Sequence, residues 1–174
     1  MWTYLLLGSN MGDREKNLSE AVRLINEAFK GLAHSPIVHS SIYETEAWGF
    51  ESDDKFLNQA IAFDTDIDAE LIMRMCLIIE KQVGRVRFGM NFDPTGNRIY
   101  ESRIIDIDMM LYGDKIIDTE ILKIPHPRLH EREFALLPLT EIAPDVKHPI
   151  LQKSMREMLV EIQSSNNEPN NCSS

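Results

Sequence analysis

The chain has 174 residues, 43% of them hydrophobic, and a formal net charge of −10. This size and composition suit one domain with a full hydrophobic core. The acidic balance argues against a general nucleic-acid-binding protein, which needs a basic surface to meet backbone phosphates. No apolar run is long enough to cross a bilayer and no export signal begins the sequence, so we expect a cytoplasmic protein without a membrane or nucleic-acid partner.

The first elements predicted are a strand and an amphipathic helix. The apolar and aromatic run Trp2–Leu7 is followed by a turn-forming segment over 8–12, which is typical of a buried strand and its turn. Asp13 can then cap a helix. The residues predicted on the inner face of that helix recur at helical spacing: Leu18, Ala21, Val22, Ile25, Phe29 and Leu32.

Two strands and a second helix are predicted next. The strands lie over Ile37–Thr45 and Phe56–Asp64. Either Asp66 or Asp68 caps the following helix, which ends near Gly84. The residues predicted to face inward on this helix are Leu71, Ile72, Met75, Ile78, Ile79 and Val83.

A strand over Arg103–Leu111 completes the order β-α-β-β-α-β. This order predicts a ferredoxin-like α+β fold, in which two helices cover one face of an antiparallel sheet. A further short strand around Ile116 and helical segments from about Glu131 and Leu151 are expected after this core.

The predicted domain organisation is simple. A single domain covers residues 1–163, and a disordered tail covers 164–174, because the tail has almost nothing apolar to bury. The sequence does not determine the oligomeric state, and a monomer is our expectation.

The strand over Arg103–Leu111 carries two carboxylates, a residue type depleted in strands. Because side chains alternate between faces, Asp106 and Asp108 share one face and lie roughly 6 to 7 Å apart along the strand. Like charges this close are unfavourable unless a cation lies between them, and Mg²⁺ bound by carboxylates and substrate phosphates fits that need. The alternative is a half-exposed strand with a polar outer face. The opposite, helix-facing row is predicted to be Ile105, Ile107, Met109 and Leu111.

The phase of the strand over 56–64 places more polar groups near the acids. Leu57, Ile61 and Phe63 form its predicted helix-facing row, so Phe56 and Asn58 fall on the face of the carboxylates. An aromatic ring and an amide on that surface would suit a flat heteroaromatic substrate beside a metal-bound phosphate.

Basic residues concentrate just before the acidic strand. Residues 81–103 carry a net charge of +3, and Arg85, Arg87 and Arg103 offer planar donors that match phosphate oxygens. Arg85 and Arg87 could equally complement the end of a helix. His126 lies between two prolines, where its ring can donate to phosphate, although a lone histidine is more often structural.

Together these motifs resemble the 6-hydroxymethyl-7,8-dihydropterin pyrophosphokinase family of folate biosynthesis. They follow the family order over about residues 4–145. The matching segments are Leu7-Gly-Ser-Asn10 with Gly12-Asp13, Ser41-Ile-Tyr-Glu-Thr45, Phe56-Leu-Asn58, Glu80 with Gly84-Arg-Val-Arg87, Arg103-Ile-Ile-Asp-Ile-Asp108, and Pro125-His126 followed by Arg132-x-Phe134 and Pro138-Leu-x-Glu-Ile-Ala-Pro-Asp145.

The resemblance implies an ATP-dependent diphosphotransferase that moves diphosphate from ATP to a reduced pterin and releases AMP. It implies two Mg²⁺ ions bound by Asp106 and Asp108. The positions that match the family's catalytic residues are Arg85, Arg103, Asp106 and Asp108. Those that match its ATP contacts are Arg85, Arg87, Arg103, His126 and Arg132. Those that match its pterin contacts are Thr45, Ala47, Trp48, Phe56, Asn58 and Phe134.

Two loops depart from the family pattern. The family's Thr-x-Pro is Thr45-Glu-Ala47 here, and its Trp-Gly-Pro before the arginine of the acidic strand is Tyr100-Glu-Ser102. The loop over Phe88–Glu101 is longer than an ordinary connection. Both a lid and an insertion remain open for this loop, as does stacking of Tyr100 on a ligand.

The residues alone leave two rival classes open. A metal-dependent nucleotidyltransferase also combines an early Gly-Ser with an Asp-x-Asp strand, but there the two lie close in sequence, whereas Ser9 and Asp106 lie far apart here. A small-molecule sensor of ferredoxin-like fold would give no reason for paired acids facing arginines. Release of AMP would distinguish a pyrophosphokinase from both.

Overall fold

The computed structural model describes residues 1–46, 55–84 and 103–167. A short 3₁₀ helix, Leu129–Glu131, precedes the third α-helix. The strands and α-helices in chain order are β1 (Trp2–Ser9), α1 (Arg14–Phe29), β2 (Val38–His39), β3 (Tyr43–Thr45), β4 (Phe56–Asp64), α2 (Ala69–Val83), β5 (Asp106–Tyr112), β6 (Ile117–Asp118), β7 (Lys123–Ile124), α3 (Glu133–Ile142) and α4 (Met155–Asn167).

The main sheet is antiparallel and has the order β2-β4-β1-β5, with β3 also paired to β4. β1 therefore lies in the centre, between the strand predicted over 56–64 and the strand that carries the two acids. The helices α1 and α2 pack on one face. This arrangement confirms the ferredoxin-like α+β fold, and β6 and β7 add a small separate sheet.

The prediction of one continuous strand over Ile37–Thr45 was wrong, because the chain leaves the ladder between β2 and β3. The backbone N–H of Ser40 donates to the carbonyl of Ala60 at 2.9 Å. The hydroxyl of Ser40 in turn accepts the N–H of Ala60 at 2.9 Å. A side chain thus replaces a backbone carbonyl in the ladder, and such local bonds compete with regular strand pairing.

The helix boundaries follow the predicted sequence signals. The side chains of Asp13 and Asp68 each accept a backbone N–H from the first turn of the helix that follows, so Asp68 rather than Asp66 caps α2. Gly84 ends α2 in the left-handed region with φ 116°. Glycine suits this position because the conformation is strained for other residues.

The inward faces of the two helices were predicted only in part. Leu32 lies beyond the end of α1 and is 45% exposed, while Leu71 and Ile78 of α2 are 52% and 56% exposed. The apolar residues of α2 occur around most of its circumference, so their spacing alone could not identify the buried face. The residues that α2 buries are Ala69, Ile72, Cys76, Ile79 and Glu80.

A second core lies on the opposite face of the sheet, where α3 and α4 pack. Leu6 and Ala60 from the central strands are buried there together with Leu136 of α3 and Met158 of α4. The C-terminal helices therefore cover part of the face on which the sequence placed the two acids.

Leu111 belongs to this second core, so its predicted place in the helix-facing row of β5 was wrong. Tyr4 pairs with Leu111 and Leu5 pairs with Met109, which leaves Met110 as an extra residue in β5. Such a bulge shifts the alternation of the strand by one position. Leu111 consequently faces α3 and α4 instead of α1 and α2.

The predicted disordered tail over 164–174 begins too early, because α4 extends to Asn167. The amide of Gln163 donates to the carboxylate of Glu133 in α3 at 2.9 Å, and the hydroxyl of Ser165 donates to a carbonyl one turn earlier. These polar contacts extend a helix end that has little apolar surface to bury. Residues 168–174 lie outside the described part of the chain.

Among the described helices, none is both long and apolar enough to span a membrane.

Candidate active site

The register of the three central strands brings the predicted site residues onto one surface. Gly8 pairs with Asn58 of β4 on one side and with Asp106 of β5 on the other. Leu6 pairs in the same way with Asp108. Directly paired residues of an antiparallel sheet share a face, so both carboxylates lie on the face of Asn58, as the strand phase predicted. Asn58 and Asp106 are two strand spacings apart, or about 10 Å.

The described strands place no side chain between Asn58 and Asp106, because the residue between them is Gly8. A Cβ atom added to Gly8 would lie 3.2 Å from Oδ1 of Asn58 and 3.8 Å from Cδ1 of Phe56. The Asn58 side chain is almost fully buried and its amide donates to the hydroxyl of Thr45 at 2.8 Å. Phe56, Asn58 and Thr45 thus form one group, and the amide of Asn58 is held in a defined orientation.

The turn after β1 binds the segment that leads into β5. The N–H of Asn10 donates to the carbonyl of Arg103 at 3.1 Å, and the N–H of Arg103 donates to Oδ1 of Asn10 at 2.6 Å. The hydroxyl of Ser9 donates to the carbonyl of Ile104. The motif Leu7-Gly-Ser-Asn10 marked this turn in the sequence, but no local pattern indicated that it positions Arg103.

Two arginines face the two acids. Arg103 forms an ion pair with Asp106. Arg132, only 7% exposed, places Nη1 3.9 Å from a carboxylate oxygen of Asp108. Its guanidinium also lies 5.6 Å from the centroid of the Phe134 ring, a distance typical of cation–π contact. The structure therefore brings together the predicted residues Arg103, Arg132 and Phe134 around the carboxylate pair.

His126 lies beside Arg132. Its backbone N–H donates to the carbonyl of Met110 in β5 at 2.9 Å, which holds this segment next to the acidic strand. Its Nδ1 accepts the N–H of Arg128 at 3.2 Å, so in the neutral ring we assign the proton to Nε2. Nε2 lies 3.5 Å from Nη1 of Arg132. The two side chains thus offer neighbouring donors, an arrangement that suits a phosphate.

The acids raise the free energy of each other's charged form. Two main effects raise the pKa of Asp108 above its ordinary value. Desolvation is the larger and repulsion from Asp106 is the smaller. Arg132 and Arg103 oppose the shift but do not cancel it. A cation bound at this pair would stabilise the charged form of both carboxylates.

Glu80 of α2 is a buried carboxylate directly behind the acidic strand. It is 1% exposed, and its Oε1 accepts the N–H of Ile107 at 2.8 Å. Ile107 lies between Asp106 and Asp108, so this bond fixes the backbone at the centre of the acid pair. The sequence showed Glu80 only as part of a family motif, and an acid on the inward face of α2 was the signal that could have marked it.

Some predicted site residues lie outside the described residues. The structural predictions for the loop over Phe88–Glu101, including Tyr100, also fall there. The predicted site residues in this group are Ala47, Trp48, Arg85 and Arg87.

Comparison with known proteins agrees with this geometry. A family model described as 7,8-dihydro-6-hydroxymethylpterin-pyrophosphokinase matches residues 4–144. This chain belongs to that family. A protein of Aquifex aeolicus named 2-amino-4-hydroxy-6-hydroxymethyldihydropteridine pyrophosphokinase is 39% identical over 154 residues, which cover 88% of each chain. The Bacillus subtilis protein of the same name is 38% identical over 144 residues, covering 83% of this chain and 79% of the relative.

Solved structures share the fold. The Plasmodium falciparum HPPK-DHPS wild-type structure matches with a TM-score of 0.67 at 16% identity, over 98% of this chain and 46% of that one. The chain therefore spans less than half of the solved chain it matches.

Membership of the family confirms the predicted enzyme class, an ATP-dependent pyrophosphokinase of folate biosynthesis that acts on small molecules.

Proposed function

We propose that the protein transfers the terminal diphosphate of ATP to the hydroxymethyl group of 6-hydroxymethyl-7,8-dihydropterin and releases AMP. The substrate oxygen bonds to the β-phosphorus, the bond from that phosphorus to the oxygen shared with the α-phosphate breaks, and the hydroxyl proton passes to water. The observation that supports this most directly is the shared surface of Asn58, Asp106 and Asp108. This surface offers an amide that can bind the pterin and, close by, carboxylates that can bind metal ions on the phosphates of ATP.

Two Mg²⁺ ions fit the acid pair. Carboxylate oxygens are ligands that Mg²⁺ prefers, with phosphates and water completing the shell. Burial, and after it repulsion from Asp106, raises the pKa of Asp108, and bound divalent cations would offset both effects. Asp106 and Asp108 would hold the ions, which when bound neutralise charge on the reacting phosphates.

The cationic side chains would orient ATP. Arg132 and His126 present adjacent donors beside Asp108, and Arg103 can exchange part of its contact with Asp106 for a phosphate oxygen. Phosphoryl-type transfer depends on positioning and charge stabilisation more than on a protein nucleophile. Arg85 and Arg87 are proposed as further phosphate contacts, with Arg85 among the catalytic residues, on the family resemblance alone.

The aromatic and amide side chains would hold the pterin. Asn58 would bind the amide edge of the ring, in the orientation that its bond to Thr45 imposes. Phe56 lies beside Asn58 at the start of β4 and Phe134 lies at the start of α3, and we propose that they bracket the ring. Ala47 and Trp48 stay predicted pterin contacts.

Analysis of the nucleotide products tests the proposal. The protein is incubated with Mg-ATP and hydroxymethyl-dihydropterin, and the nucleotides are separated by anion-exchange chromatography. We expect AMP to form in equal amount to pterin diphosphate. Release of pyrophosphate would instead indicate a nucleotidyltransferase, and unchanged ATP would indicate a binding protein; either result contradicts the proposal.

The cellular setting is proposed on the sequence alone. A cytoplasmic location, a monomeric state and a single-domain organisation stay predictions.

A further inference from the structure

Glu141 near the end of α3 binds the segment that leads into β3. Its two carboxylate oxygens accept the backbone N–H of Ser41, each at 3.0 Å. The hydroxyl of Ser41 donates to Oε1 at 3.0 Å and the hydroxyl of Tyr43 donates to Oε2 at 2.8 Å. One carboxylate therefore accepts from three donor groups on an element that lies about 100 residues earlier in the chain.

These bonds favour the charged carboxylate. The pKa of Glu141 is lowered below its ordinary value by these hydrogen bonds. The bond from the N–H of Ser41 has the largest effect, and those from the hydroxyls of Tyr43 and Ser41 have smaller ones. Bonds to a charged acceptor are stronger than those between neutral groups. Glu141 lies at the surface, and the three donor groups on its one carboxylate are what make this contact specific.

The strand that Glu141 binds needs such an anchor. β3 has three residues and pairs with β4 through Tyr43 opposite Asn58 and Thr45 opposite Phe56. So short a ladder fixes a strand weakly. Thr45 nevertheless has to stay in place to accept the amide of Asn58 at 2.8 Å.

The other end of α3 carries residues proposed for both substrates. Arg132 and Phe134 lie at its first turn, and Glu141 lies about two turns further on. One helix thus connects Arg132, proposed for ATP, and Phe134, proposed for the pterin, with the strand that supports Asn58.

We propose that Glu141 is a positioning residue for the pterin substrate, acting by holding β3 so that Thr45 keeps the amide of Asn58 in its binding orientation. The inference rests on the proposed function and extends it. Glu141 touches neither substrate in this account, so its loss affects pterin binding and leaves ATP binding and the chemical step intact.

Steady-state kinetics of Glu141→Gln test this role. Glutamine has the same size but no charge, and its amide group can no longer accept at both terminal positions. We expect KM for the pterin to rise about tenfold, equivalent to about 1.4 kcal/mol. KM for ATP and kcat should stay within about twofold of the wild-type values, because a lost ground-state contact raises KM alone.

Two further variants make the result specific. Tyr43→Phe removes one of the three donors and should raise KM for the pterin less than Glu141→Gln does, and it keeps the proposal testable if Glu141→Gln does not fold. Glu157→Gln is the matched control, since Glu157 accepts the N–H and hydroxyl of Ser154 at 2.8 and 2.9 Å in the same manner at the start of α4. It should lower Tm without changing either KM.

The outcomes separate this inference from the proposed function. An active wild-type enzyme whose KM for the pterin is unchanged in both Glu141→Gln and Tyr43→Phe would overturn the role of Glu141 alone. An equal rise in the KM of both substrates would overturn it as well, because it would indicate a general structural defect. A wild-type protein that releases no AMP would contradict the proposed function itself.

Discussion

Three consecutive residues at the end of β1 each have a distinct structural role. Gly8 leaves room for the Asn58 side chain, Ser9 binds the carbonyl of Ile104, and Asn10 binds both backbone groups of Arg103. The turn was predicted from its composition, but the partners of Ser9 and Asn10 lie more than 90 residues later and could not be predicted from local spacing.

Replacing Gly8 by alanine should weaken pterin binding. The added Cβ would lie 3.2 Å from Oδ1 of Asn58, and this side chain has little room to move because its amide nitrogen donates to Thr45. We expect KM for the pterin to rise about tenfold, the equivalent of about 1.4 kcal/mol. Steady-state kinetics with the pterin as the varied substrate measure the effect.

Gly31→Ala is the control for Gly8→Ala, because a Cβ added at Gly31 meets no atom within 4 Å. Its kinetic constants should match those of the wild type. A wild-type KM in Gly8→Ala would show that the close approach at Gly8 does not shape the pterin site.

At the scale of elements, α2 supports β5 through a buried acid as well as through apolar packing. The Glu80 carboxylate accepts the N–H of Ile107. A buried N–H that loses its acceptor costs about 1–3 kcal/mol. The bond therefore stabilises the strand at the position where the two metal-binding side chains proposed here, Asp106 and Asp108, project.

Glu80→Leu should lower the free energy of unfolding by about 1–3 kcal/mol, because the N–H of Ile107 is left without this acceptor. Glu80→Gln should lower it less, since the glutamine carbonyl can still accept. Urea unfolding of the two variants measures both values. Equal losses in Glu80→Leu and Glu80→Gln would mean that the charge of Glu80, and not its bond to Ile107, carries its contribution.

The strands and helices also show which structural features local sequence patterns can predict. The span of β4, the Asp13 cap of α1 and the end of α2 at Gly84 were predicted correctly, because alternation and capping residues are local signals. The phase of β5 was correct through Met109 and wrong at Leu111, because the bulge at Met110 depends on the pairing with β1. The buried carboxylate of Glu80 was missed for a similar reason, since its partner lies on another element.

At the scale of the whole molecule, the sheet has cores on both faces, and the candidate site lies beside the second one. The element order was enough to predict the ferredoxin-like half, with α1 and α2 on one face. The cover provided by α3 and α4 could not be predicted in the same way, because its contacts with small side chains such as Ala60 and Ala62 have no distinctive pattern. That cover places Arg132 and Phe134 next to the acidic strand.

The catalytic role proposed for the acid pair comes at some expense to stability. Asp106 and Asp108 lie on one face of a strand, where burial and, to a smaller extent, repulsion between them raise the pKa of Asp108. Removing one of the two charges should therefore leave the fold intact. Functional sites often hold such locally unfavourable features.

Asp108→Asn gives the most direct test of the central claim, that the two carboxylates carry diphosphate transfer. Turnover, measured as AMP release, and Tm without added metal are determined on the same preparation. We predict that turnover falls by about 100- to 1000-fold, the range seen when one electrostatic contact to a transition state is lost, while Tm stays equal to or above that of the wild type. A folded Asp108→Asn enzyme with wild-type turnover, or a variant that unfolds, would contradict the account.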